Sequence, residues 1–149
     1  MRTLLLFTLI TAGCTTEPVS ESRELCTERT IGDPAKPIEL AILTRDRDGE
    51  VRDVVDHSPA EVVLSDGRRG LVLSVRARNL DGCAVAVVMR SPERAELRGG
   101  TMVQLDVTGN PDSADALQFV ELPTATANDT IDVVIQDATG RWATATYSP

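Results

Sequence analysis

The chain has 149 residues and a formal net charge of −8, with 23 acidic side chains against 15 basic ones. That length suits one domain with one core. The charge balance supplies neither the basic footprint that a nucleic-acid binder needs nor a polybasic stripe for anionic lipid head groups. Aromatic residues make up only 3%, and beyond the first fourteen positions only Phe119, Trp142 and Tyr147 are left to stack on a sugar ring.

The first element is a leader. Met1-Arg2-Thr3 carries one positive charge, and residues 4–10 form a short apolar run followed by Thr11-Ala12-Gly13-Cys14. That order fits an export signal, and the run is far shorter than the roughly 20 apolar residues of a membrane-crossing helix. The Ala12-Gly13-Cys14 junction resembles the lipobox of bacterial lipoproteins, with Thr11 standing where the family usually carries leucine. The resemblance implies a signal peptide over residues 1–13, cleavage after Gly13, and acyl chains such as palmitate on Cys14. Removing those 13 residues leaves 136 of the 149. Lipoproteins of this kind carry more than one acyl chain, and two suffice for stable anchorage. Aspartate after the cysteine favours inner-membrane retention in such proteins. Thr15 therefore points to the outer membrane of the cell envelope. Residues 14–25 are polar and read as a lipidated tether, reaching about 40 Å at most when extended.

With Cys14 assigned to lipid, Cys26 and Cys83 remain. An even pair in an exported chain reads as a disulfide. It would close a loop of 83 − 26 = 57 residues, which stabilises by about 4 kcal/mol in the chain-entropy model.

From residue 26 to residue 149 the dominant signal is a period of two. In residues 71–80, Leu71, Leu73, Val75 and Ala77 share one face while Ser74, Arg76 and Arg78 share the other. Residues 83–90 alternate in the same way, with Cys83, Val85, Val87 and Met89 together. Asp81-Gly82 lies between the two runs, and Asp-Gly between alternating runs is the strongest short-range hairpin signal. The sequence therefore predicts a hairpin here, with Cys83 facing the core. Further runs occupy residues 38–43, 51–55, 61–64, 101–107, 117–122, 131–136 and 142–147. The breaks between them carry turn chemistry such as DRDG, SDGRRG and DATGR. Two segments offer helix caps, Ser58-Pro59-Ala60-Glu61 and Ser91-Pro92, although Val62-Val63 and Gly67 argue against long helices.

Short strands with frequent turns predict an all-β sandwich or barrel. The final stretch, TIDVVIQDATGRWATATYSP, resembles the last hairpin of bacterial immunoglobulin-like domains through Asp137, Gly140 and residues 143–147. The resemblance implies a single immunoglobulin-like β-sandwich of about seven to nine strands over residues 26–149. No antibody-type core is implied, because Trp142 follows both cysteines.

Chemistry-bearing motifs are few. His57-Ser58 are neighbours in sequence, which rarely lets a base face a nucleophile, and no Gly-x-Ser-x-Gly elbow is present. A small hydrolase is accordingly the third reading and no catalytic residue is assigned. The TRDRDGE turn invites a calcium reading. Aligning Gly49 with the sixth position of an EF-hand loop places Asp46 and Asp48 at the third and fifth, but Thr44 at the first and Val55 at the twelfth, where a glutamate is required. Asp46, Asp48, Asp129 and Asp137 remain candidates for calcium at other spacings in the loops of a sandwich. The expectation is thus a non-enzymatic envelope lipoprotein with no cofactor, attached to the membrane through its lipid and open to an envelope protein partner. A ligand- or calcium-binding sandwich module is the alternative.

Overall fold

Thirteen strands form, and no helix is found among the described residues. The computed structural model describes residues 30–55, 58–103, 105–106, 113–116 and 118–149. In chain order the strands are β1 (Thr30–Ile31), β2 (Glu39–Arg45), β3 (Val51–Asp53), β4 (Val62–Val63), β5 (Arg69–Arg78), β6 (Leu80–Asp81) and β7 (Val85–Arg90). They continue with β8 (Arg98–Val103), β9 (Leu105–Asp106), β10 (Ala114–Ala116), β11 (Val120–Pro123), β12 (Ile131–Gln136) and β13 (Trp142–Tyr147). The strand runs read from the sequence are therefore present, with shifted bounds.

The strands build a β-sandwich. The larger sheet runs β3-β2-β5-β10-β9, and both β4 and β11 also pair with β5. The smaller sheet runs β13-β12-β7-β8. All pairings are antiparallel. The alternation explains the layers. Leu71, Leu73, Val75 and Ala77 of β5 share one buried cluster with Val85, Val87 and Met89 of β7 and with Ile131, Val133 and Ile135 of β12. Each such side chain withdrawn from water contributes about 1.5–3 kcal/mol, less for alanine. Tyr147 joins the core with its ring, and its hydroxyl donates to the Ala127 carbonyl at 2.7 Å. Trp142 takes the opposite role: it lies on the edge strand β13 and is 69% exposed.

Gly70 has a steric role in the larger sheet. It pairs with Val62 of β4 on one side and Pro123 of β11 on the other. A Cβ there would collide with the Leu122 carbonyl and meet Leu64 Cδ1 at 2.8 Å.

The structure corrects the predicted hairpin over residues 71–90. β5 and β7 lie in different sheets and do not pair. Asp81-Gly82 is not a hairpin turn, and buried Gly82 is not among the glycines with positive φ. The chain instead turns at Asn79, held at φ 63°. The Asn79 amide oxygen accepts from the Asp33 N–H at 3.1 Å, and its amide nitrogen donates to the Pro37 carbonyl at 3.0 Å. Asparagine tolerates this left-handed conformation because its short side chain can bond locally. β6 then pairs with β1 before β7 begins in the second sheet, through Thr30↔Asp81 and Ile31↔Leu80. Cys83 consequently sits just ahead of β7, half-buried rather than in the core row.

The two candidate caps also resolve. Residues 58–61 adopt no regular structure. Ser91 does cap a turn, its hydroxyl oxygen accepting from the Glu93 and Arg94 N–H groups at 3.3 Å each, but the chain enters β8 instead of continuing as a helix.

Candidate functional site

A groove of about 830 Å³ lies on the outer face of the larger sheet. Its floor follows from register. Glu121 of β11 pairs with Val72 of β5, and Thr44 of β2 pairs with Leu73. The next residue of β2, Arg45, therefore shares the outward row with Val72 and Glu121. One wall is the Asp46–Gly49 turn and another is Glu61 with β4, whose Val63 is 73% exposed. Phe119 lies in the connection from β10 to β11. The Ser74 hydroxyl, projecting from β5, lies 3.1 Å from the Ala116 carbonyl and 3.0 Å from that of Gln118. That contact pins the connection over the sheet and so positions the ring.

The electrostatics of the groove are uneven. The Arg45 guanidinium lies over the Phe119 ring, 4.3 Å from its centroid, a cation–π contact worth about 0.5–1 kcal/mol at an exposed site. Arg47 donates from Nε to the Glu61 carbonyl at 3.4 Å. Arg69 faces the Glu61 carboxylate at 3.6 Å. Glu121 accepts from both the N–H and the hydroxyl of Ser65, at 3.2 and 2.7 Å. Asp46 accepts from the N–H groups of Asp48 and Glu50, at 2.9 and 3.0 Å, and pairs with Arg52 at 2.9 Å. The carboxylates are thus engaged within the protein, whereas Arg45 and Arg47 keep N–H donors to spare.

The aspartates singled out from the sequence are not brought together. Asp46 and Asp48 lie in the β2–β3 turn, Asp129 in the turn before β12, and Asp137 in the β12–β13 turn. Among the described residues no three His, Cys, Asp or Glu side chains are grouped to hold a metal ion. Asp129 accepts from the N–H and hydroxyl of Thr126 at 2.7 and 3.1 Å, and from Arg94 at 3.1 Å. Burial pushes its carboxyl up, but the Thr126 and Arg94 hydrogen bonds outweigh that and hold it below the usual aspartate range. Asp137, with a fully buried carboxylate, accepts from the N–H groups of Thr139, Arg141 and Asp81, from the Thr139 hydroxyl and from Arg141 Nε. There too burial raises the carboxyl, and the hydrogen bonds, led by the Thr139 hydroxyl, lower it below its usual range. Both side chains hold turns together, and their acceptor oxygens already face several donors.

Cys14, Cys26 and His57 lie outside the described residues. Ser58 is exposed and borders a smaller groove of about 450 Å³ between β2 and β13, lined by Leu40, Ile42 and Val54 among others. Sequence reasoning missed the pairing of Arg45 with Phe119. The two are 74 positions apart, and only the outward phase of Arg45 in its strand hinted at its surface role. No family model, curated protein or solved structure matches the chain.

Proposed function

We propose that the chain is an exported, lipid-anchored domain of the bacterial cell envelope that acts by binding through its surface and not by catalysis. The observation that carries the location is the leader of residues 1–14, with its single charge, apolar run and Ala12-Gly13-Cys14 junction. The sandwich architecture suits the role, since both sheets present outer faces and loops while the core packs between them. The immunoglobulin-like reading is supported by the strand order, β2-β5-β11 against β13-β12-β7-β8. Thr15 favours the outer membrane as the site of anchorage.

Cys14→Ser tests the anchor. Wild-type protein is expected in the detergent phase after phase partitioning and to incorporate labelled palmitate. The Cys14→Ser protein is expected to do neither and to retain its leader. Normal processing of the variant, with wild type in the aqueous phase, refutes the proposal.

A disulfide between Cys26 and Cys83 belongs to the same reading. Thr30 pairs with Asp81, two residues before Cys83. Cys26 precedes Thr30 by four residues, a span of about 14 Å at most. The entering chain can therefore reach the Cys83 end of the crossover. Denatured Cys14→Ser protein from an oxidising compartment is expected to show no titratable thiol, and two thiols would rule the bond out.

A further inference from the structure

We propose that the groove on the outer face of the larger sheet binds a carboxylate-bearing partner, an acidic peptide segment whose Asp or Glu side chains are taken by Arg45 and Arg47. This deepens the reading of the domain as a binding module and rests on it. Among the eleven described arginines, seven have a carboxylate within 4.0 Å, and Arg45, Arg47, Arg90 and Arg98 do not. A chain with 23 acidic residues has carboxylates to spare for pairing, so two guanidinium groups left without one on a single groove stand out. Arg90 and Arg98 are different: they face each other across β7 and β8 and line neither groove.

The geometry of Arg45 suits the task. Its guanidinium carbon lies 4.3 Å from the Phe119 centroid with no carboxylate beside it, and of its five N–H donors the ring contact can occupy only part. The ring also restrains the side chain, which lowers the entropy lost when a ligand arrives. Arg47, on the adjoining turn, is held only through Nε. Asp46 pairs with Arg52 and Glu61 lies 3.6 Å from Arg69, while Glu121 accepts from Ser65. Arg45 and Arg47 thus offer two guanidinium groups without a carboxylate against one carboxylate, Glu121, without a cation, which favours a ligand that brings an anion.

The remaining lining narrows the class. Val62, Val63, Val72 and Phe119 offer apolar surface beside the arginines, which suits aliphatic neighbours of an acidic side chain. A guanidinium fork fits carboxylate and phosphate alike. Three acidic side chains also line the groove, however, and a doubly charged phosphate meets more repulsion there than a single carboxylate. About 830 Å³ is within the usual range for a binding site.

The test uses the full chain in detergent and a fluorescein-labelled peptide of alternating Glu and Leu, read by anisotropy. Saturable binding is expected, weakened about tenfold or more by the double change Arg45→Gln and Arg47→Gln. Arg90→Gln with Arg98→Gln, the control for general charge loss, should leave binding unchanged, as should Cys14→Ser. A Gln–Leu peptide should bind far more weakly, and inorganic phosphate at the peptide's concentration should not displace it. All four substituted arginines lie on outer faces, and the melting curves of both double variants should match wild type. Equal binding by the Arg45/Arg47 variant, equal binding of the Gln–Leu peptide, or ready displacement by phosphate would overturn the proposal. Such a failure with palmitate still attached at Cys14 removes the groove assignment alone and leaves the anchored domain standing.

Discussion

The β2–β3 and β12–β13 hairpins close on loops of one geometry. In the first, Gly49 N–H donates to the Asp46 carbonyl and Asp46 N–H to that of Glu50, at 3.1 and 3.0 Å. In the second, Gly140 and Asp137 make the same two bonds with Asp137 and Arg141, at 3.0 and 2.9 Å. Each glycine has a positive φ, 85° and 86°. Each aspartate oxygen accepts from the N–H groups two and four residues on. The loop from Leu64 to Arg68 repeats the backbone frame with leucine in place of the aspartate, so the carboxylate is not what makes the turn.

What separates the two aspartates is their reach. Asp46 serves its own loop and Arg52 of the same hairpin. Asp137 also accepts the Asp81 N–H of the crossover, and its partner Arg141 goes on to the carbonyls of Asn79, Pro34 and Lys36. One carboxylate and one guanidinium thereby tie the last hairpin to the crossover and to the chain before β2. The same short motif is local punctuation in one place and a tertiary clamp in the other.

The largest expected effect breaks that clamp. Asp137→Ala should cost about 3 kcal/mol in denaturant unfolding, because it removes the acceptor of five part-buried donors and takes from Arg141 its carboxylate partner. A loss no greater than that of Asp46→Ala would show that the loop alone matters.

Acid titration sharpens the contrast next. The Asp137 and Asp129 carboxyls are held below their usual range when folded, so below about pH 4 the unfolded chain binds more protons at these sites. Their contribution is full above that pH and is lost as pH falls through the lowered folded values. Stability measured from pH 6 to pH 2 should fall less steeply in Asp137→Ala than in wild type.

The glycines test the shared part. A Cβ at Gly49 or at Gly140 meets no atom within 4 Å, so alanine pays only for positive φ, about 1 kcal/mol at each position. Unequal losses measured by thermal unfolding would mean the loops are less alike than their hydrogen bonds indicate. The smallest effect is expected for Asp46→Ala, roughly 0.5–1 kcal/mol, since its donors are open to water.

The groove shows the same division between local and distant. Asp46 and Gly49 were legible as a turn, because an Asx bond and a left-handed glycine are satisfied within five residues. The stacking of Arg45 on Phe119 was not legible, because it depends on β2 and β11 flanking the same strand and on Ser74 drawing the 116–118 link over the sheet.

Period-two alternation in residues 71–80 and 83–90 correctly placed Leu71, Leu73, Val75, Val85, Val87 and Met89 in the core, all 0–1% exposed. The same alternation put half-buried Cys83 in that row and left Ser74, itself buried, on the outer face. It also determined the all-β class. It did not determine which strands are neighbours. Alternation states which face meets the core, whereas the backbone donors and acceptors at a strand's edges are the same for any partner. Asp81-Gly82 therefore read as a hairpin turn, while the folded chain satisfies β5 with β2 and β4 on one edge and β10 and β11 on the other, and sends β7 to the opposite sheet. Asn79, Arg141 and Asp137, distant in sequence and bonded around the crossover, are the tertiary contacts that hold that choice.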